Sequence, residues 1–191
     1  QNKKSSSLSY MVKHFIERSN NVNSLFIDNF DEGFINLYKS LKNEKVLLIG
    51  ISYALLNLAE QTDMDLSNWI IMETGGMKGK REEITRSQLH IKLKTSFKNN
   101  SIHSEYGMTE LLSQAYSKDN GIFHPPPWMK ISTRYLNDPL LSNSINKTGG
   151  VNIIDLANIY SCSFIATEDL GKIYEDGSFE VLGRFDHSDE R

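Results

Sequence analysis

Hydrophobic positions along this chain change rhythm partway. Up to about residue 120, short apolar runs alternate with segments of helical spacing. Leu8 to Arg18 predicts a short helix through Tyr10, Met11, Val12, Phe15 and Ile16, and Ser24 to Ile27 predicts a strand. Phe34, Ile35, Leu37, Tyr38 and Leu41 recur at helical spacing and predict a helix from Glu32 to Leu41, capped by Asp28 or Asp31. Lys45 to Gly50 is a continuous apolar run ending in glycine, which suits a strand covered on both faces. Tyr53 to Gln61 reads as a helix, and Trp69 to Met72 as a second buried strand closed by Gly75 and Gly76. A helix from Glu82 to Phe97 follows, its early acids suited to the positive end of the helix dipole. Ser101 to Glu105 adds a strand whose carboxyl end delivers Tyr106. Such alternation predicts an α/β layered sheet with flanking helices.

From Gly121 the pattern turns to short strand-like runs: Met129 to Tyr135, Val151 to Ile154, Ser161 to Ala166, Lys172 to Tyr174 and Phe179 to Leu182. Glu175-Asp176-Gly177-Ser178 between the last two is a hairpin signal. His124-Pro125-Pro126-Pro127-Trp128 is expected to be extended, because proline fixes its own φ and biases the residue before it. The expected division is an α/β portion over 1–120 and a β-rich subdomain over 121–191.

Composition adds exclusions. Hydrophobic residues at 39% and charged ones at 24% are ordinary for a globular protein. A net charge of −3 argues against nucleic acid as a partner. The basic cluster Lys78, Lys80, Arg81 and Arg86 reads as a solvated loop and helix start. A single cysteine, Cys162, excludes an internal disulfide, and the scattered histidines lack metal-ligand spacing. No apolar stretch approaches the length of a membrane span, and the polar opening residues lack a secretory pattern, so a cytoplasmic enzyme is expected.

The densest candidate chemistry is Tyr106-Gly107-Met108-Thr109-Glu110. It offers an aromatic face for a base, backbone room, a hydroxyl for phosphate and a carboxylate for a metal. Gly75-Gly76 precedes it, Thr167-Glu168-Asp169-Leu170-Gly171 follows as an expected turn, and Gly183-Arg184-Phe185-Asp186 comes near the end. Ligands of open α/β sheets sit beyond the carboxyl ends of strands, where both Gly75-Gly76 and Tyr106 are expected.

In this order the motifs resemble the adenylate-forming superfamily, which activates carboxylic acids as acyl-AMP. More closely the chain resembles its acyl-protein synthetase (LuxE-type) branch, through Met72 to Gly79, Ser104 to Gln114, Asn152 to Asn158 and Phe179 to Arg184. The resemblance implies part of the large N-terminal domain of such an enzyme, with ATP and Mg²⁺ as cofactors. It implies a carboxylic acid substrate, a fatty acid foremost, a protein or coenzyme A thiol as acceptor, and an acyl reductase as a possible partner. Nucleotide binding falls to Gly75, Gly76, Ser104, Glu105, Tyr106, Gly107, Met108 and Asp169, with Tyr106 on adenine and Asp169 on the ribose hydroxyls. Thr109 would meet the α-phosphate, Glu110 would hold Mg²⁺, and Arg184 would reach the ribose or phosphate region. Plainer roles exist for each: a strand-end aromatic, a helix N-cap at Thr109, a first-turn glutamate, a turn aspartate and a surface salt bridge.

Two family features have no match. The Ser/Thr/Gly-rich phosphate loop would lie upstream, and the lid domain with its lysine would begin after the Asp186 hinge, so the chain is expected to be a fragment of a larger enzyme, itself not fully active. Cys162, inside the strand-like stretch Tyr160 to Ile165, reads as inert packing rather than an acyl carrier. A coenzyme A ligase of the aryl-acetate type shares this loop order. The alternative from another class is a non-catalytic adenylate-binding or reductase-docking module using Pro125 to Trp128.

Overall fold

The computed structural model describes residues 6–77, 79–82 and 84–185. Two helices lead: α1 (Ser7–Ser19), capped by Ser6 and closed by Asn20 in the left-handed region, and α2 (Glu32–Leu41). The Asp31 carboxylate accepts from the Phe34 amide at 3.1 Å, which starts α2 where the apolar period predicts. Then β1 (Leu47–Ile51), α3 (Ser52–Gln61), β2 (Ile70–Thr74), α4 (Arg86–Phe97), β3 (Ile102–Tyr106) and β4 (Ala115–Ser117) build the first sheet and its cover. Strand order is β1-β2-β3-β4, parallel except for β4. Leu55, Leu58, Leu66, Ile71, Leu93, Phe97 and Ile102 form the core between this sheet and its helices.

The second sheet is antiparallel, in the order β5-β9-β8-β7-β6, from β5 (Ile122–Phe123), β6 (Met129–Arg134), β7 (Thr148–Asp155), β8 (Phe164–Ile173) and β9 (Phe179–Arg184). Phe123, Met129, Ile131, Val151, Ile153 and Phe179 make its core, and Tyr106 at the end of β3 belongs to that core too. This mixed α/β architecture, a layered sheet with helices followed by β-rich structure, is the fold class expected from the sequence. No described helix is long and apolar enough to cross a membrane.

Several local expectations need correction. Ser24 to Ile27 forms no strand. Helix α4 starts at Arg86 rather than Glu82, because Thr85 and Gln88 form a reciprocal capping box that fixes the start. The run Leu47 to Ile51 is an edge strand, only half-buried. Thr167 to Gly171 is no turn. It lies inside the ten-residue strand β8, which a register shift between Leu170 and Gly171 carries past its partner β9. Cys162 lies before that strand, in an exposed turn after the 3₁₀ segment Leu156–Asn158. Pro127 and Trp128 form a turn closed by the Met129 amide on the Pro126 carbonyl, not an extended stretch. No helix follows Tyr106. Residues 107–114 make an irregular segment with a turn closed by the Leu111 amide on the Met108 carbonyl.

Candidate functional site

The carboxyl ends of β2 and β3 lie side by side, with Thr74 opposite Glu105 in register, so Gly75 follows next to Tyr106. The Thr74 hydroxyl donates to the Glu105 carboxylate, and the Ser52 hydroxyl reaches both Glu73 (3.1 Å) and the Gly75 carbonyl (3.2 Å). Gly75 has φ 65°, a conformation that favours glycine and turns the chain away from the strand. A Cβ at Gly107 would strike the Glu105 carboxylate, whereas one at Gly76 would meet open space. Burial pushes the Glu105 carboxyl above its ordinary pKa, and the nearby Glu73 charge adds to this.

Tyr106 joins the two sheets. Its ring stands edge-on to Phe179 (5.5 Å between centroids) and tilted to Phe123 (5.8 Å), and its hydroxyl donates to Asp169 Oδ2 on β8 at 2.7 Å. Burial pushes the phenol strongly up, and the Asp169 charge adds to that, so the tyrosine keeps its proton and acts as a donor. Arg184 Nε lies 3.8 Å from Asp169 Oδ1, while its Nη2 donates to Glu168 at 2.7 Å on an exposed surface.

The structure therefore brings Gly75, Glu105, Tyr106, Asp169 and Arg184 to one junction between the sheets. Thr109 and Glu110 lie on the exposed turn that follows Tyr106, and Met108 packs on the second core. Ser104 is fully buried, and its hydroxyl lies 3.2 Å from His90 Nε2 on α4. Asp186 lies outside the described residues. Among those residues no group of three His, Cys, Asp or Glu side chains gathers to hold a metal.

Sequence reasoning missed the polar cluster beneath this junction. Glu73, 2% exposed, accepts from Arg86 Nε at 3.0 Å and lies 3.5 Å from His90 Nε2. Burial pushes its carboxyl up, and the contacts with His90 and Arg86 more than offset that, leaving it below the ordinary value. Arg86 also donates to the Val181 carbonyl of β9 at 3.0 Å and stacks 4.9 Å over the Phe123 ring. The expected solvated basic cluster is corrected at Arg86, which ties the sheets together; Lys80 is exposed, Arg81 pairs with Glu60 at 2.6 Å near the surface, and Lys78 lies outside the described residues. Arg134 is more deeply buried, donating to the Val151 and Thr167 carbonyls at 3.0 and 2.7 Å. Gly150 opposite leaves room for it, since a Cβ there would come within 2.8 Å of the guanidinium carbon. The Gly149-Gly150 pair was the available sequence signal for a large side chain crossing a strand.

No protein-family model matches the chain, and no curated protein matches its sequence. Solved structures do share its fold, which is that of part of the N-terminal domain of adenylate-forming enzymes. ATP-bound MatB from Rhodopseudomonas palustris superposes with a TM-score of 0.57 at 17% identity, over 83% of this chain and 34% of that one. A coronafacic acid ligase variant from Pectobacterium brasiliense gives 0.58 at 20% identity, over 81% and 33%. The O-succinylbenzoate coenzyme A synthetase of Bacillus subtilis, solved with AMP, gives 0.52 at 18% identity, over 78% and 34%. The chain spans about a third of the length of each.

Proposed function

We propose that this chain is part of an adenylate-forming acid–thiol ligase. The parent reaction joins a carboxylate oxygen to the α-phosphorus of ATP, releases pyrophosphate, and passes the acyl group from acyl-AMP to a thiol. The observation that carries this reading is the Tyr106–Asp169 contact. It puts the residues assigned to adenine and to ribose in one place, beside the Gly75 turn, from positions far apart in sequence. Tyr106, 8% exposed and packed between the buried Phe123 and Phe179, would offer the base only its exposed rim, while its hydroxyl holds Asp169 towards the ribose. Gly107 gives backbone room beside Glu105 and Met108 backs the turn, with Ser104 supporting β3 from beneath. Thr109 would donate to the α-phosphate and Arg184 would approach the ribose or phosphates from the exposed edge.

Mg²⁺ arriving on ATP typically keeps several waters and takes one or two protein carboxylates beside the phosphate oxygens. The exposed carboxylate of Glu110 fits that requirement, and the metal would neutralise charge on the departing pyrophosphate. For the acid and acceptor, the resemblance to acyl-protein synthetases supports a fatty acid, a protein thiol and an acyl reductase partner. Neighbours named as coenzyme A ligases support coenzyme A as the acceptor. A cytoplasmic setting suits either.

The test is calorimetric titration of a non-hydrolysable acyl-AMP mimic into this chain, with Asp169→Asn and Tyr106→Phe as partners. Losing a charge-assisted bond at the ribose costs about 1.5–3 kcal/mol, so Asp169→Asn should weaken binding by at least tenfold. Equal affinity in a folded Asp169→Asn chain would remove the ribose assignment.

A further inference from the structure

Thr109 and Glu110 sit on a turn that has little structure of its own, with the Leu111–Met108 backbone bond closing it. What fixes its backbone comes from the other sheet. Asp155, at the end of β7, has no exposed surface, and both of its oxygens are occupied. Oδ2 accepts from the amides of Leu112 (3.0 Å) and Ser113 (2.9 Å). Oδ1 accepts from the Ser113 hydroxyl (2.7 Å) and the Ala157 amide (3.1 Å). Burial pushes this carboxyl up, and those donors outweigh it, so the group is held as an anion. Three residues on, Asn158 donates to the Glu110 carbonyl at 2.7 Å and to the Cys162 carbonyl at 2.9 Å. Trp128 completes the grip by donating its indole N–H to the Ser113 hydroxyl at 2.9 Å.

We infer that Asp155 and Asn158 are positioning residues: they clamp the main chain of residues 110–113 from below so that the exposed Thr109 and Glu110 side chains are held at the nucleotide. The inference rests on the ligase reading for what Thr109 and Glu110 do, but the clamp itself is a statement about this chain. A carboxylate taking two successive amides fixes the orientation of both peptide planes, and Asn158 fixes the one before them. A small misplacement of Glu110 would move a metal and its phosphate off line, where rate is lost more than affinity.

Two measurements separate the clamp from the chemistry. Amide hydrogen exchange on this chain should show Leu112 and Ser113 exchanging at least tenfold faster in Asp155→Asn, with the β7–β8 amides unchanged. Unchanged exchange at those two amides overturns the clamp. In the full-length protein, acid-dependent ATP–pyrophosphate exchange should lose about tenfold in kcat with Asn158→Ala, while the ATP KM stays within twofold and the Mg²⁺ needed for half-maximal rate rises. Unchanged kcat and Mg²⁺ dependence would make the clamp purely structural and overturn the positioning role. If the unmodified full-length protein shows no acid-dependent exchange, the ligase reading falls and takes the positioning role with it, whereas the hydrogen-exchange result still decides the clamp.

Discussion

Replacing Arg86 with methionine removes its bond to Glu73, its bond to the Val181 carbonyl and its stacking over Phe123, while keeping an apolar stem of similar reach. A hydrogen bond to a charged group contributes about 1.5–3 kcal/mol. The stacking adds about 0.5–1 kcal/mol. Losing one partner of a buried pair costs about 3–5 kcal/mol, chiefly because the other charge is stranded. Glu73 is 2% exposed and Arg86 is 26% exposed, so water relieves some of that burden, and a cost of about 3 kcal/mol is expected. Urea unfolding read by circular dichroism measures it as a lower midpoint at unchanged slope. Glu73→Gln removes the stranded charge, so the double variant should recover more than half of the loss rather than add to it. The pH dependence follows in sign. The folded pKa of Glu73 lies below its ordinary value, so its contribution is present above the unfolded value of about 4.3 and fades as pH falls through the folded one. Without Arg86 that contribution is missing, and the gap between Arg86→Met and the unmodified chain should narrow towards acid. A cost under about 1 kcal/mol, or an additive double variant, would refute the tie between α4, β2 and β9.

Glu105 carries the opposite sign. Its pKa is raised, mainly by burial, so the folded state favours the protonated acid, and stability is lost as pH rises through the folded value. Glu105→Gln should therefore raise the thermal midpoint at pH 7 and lose that advantage as pH falls towards about 4, and a pH-independent difference would contradict this. Gly171→Ala should cost about 1–3 kcal/mol in chemical denaturation, as forced overpacking does. Its Cβ would come within 2.6 Å of the Val151 side chain and 2.7 Å of the Glu180 carbonyl, a backbone atom with little freedom to move.

Elements whose causes are local could be read from the sequence. Helix α2 has its cap at Asp31 and its apolar stripe within one stretch, and it begins and ends where expected. Helix α4 begins later than the acid at Glu82 suggests, because the reciprocal pairing of Thr85 with Gln88 sets its start rather than a first-turn charge. Strand β8 reads as two pieces in the sequence because Asp169 and Gly171 are turn-forming types. Its continuity comes from β7 and β9 on either side, which no local window contains. In the candidate site, Gly75 and Tyr106 stand out in the sequence as strand-end chemistry, and Asp169, expected in a turn, lies inside β8. The buried charges do not stand out: Arg86 finds its carbonyl 95 residues away, and a charge run alone gives no sign that one member turns inward.

Asp169 stands on a strand bonded along both edges, whereas Thr109 and Glu110 ride on a loop. The two sides of the junction are both held, by different means: the β8 side by its two sheet partners, the loop side by the Asp155 and Asn158 contacts. Analogues changed at a sugar hydroxyl would meet an unforgiving partner and be rejected sharply. On the proposed ligase reading, analogues changed near the phosphates would meet a clamped loop with as little room to follow, so selectivity would extend along the whole nucleotide.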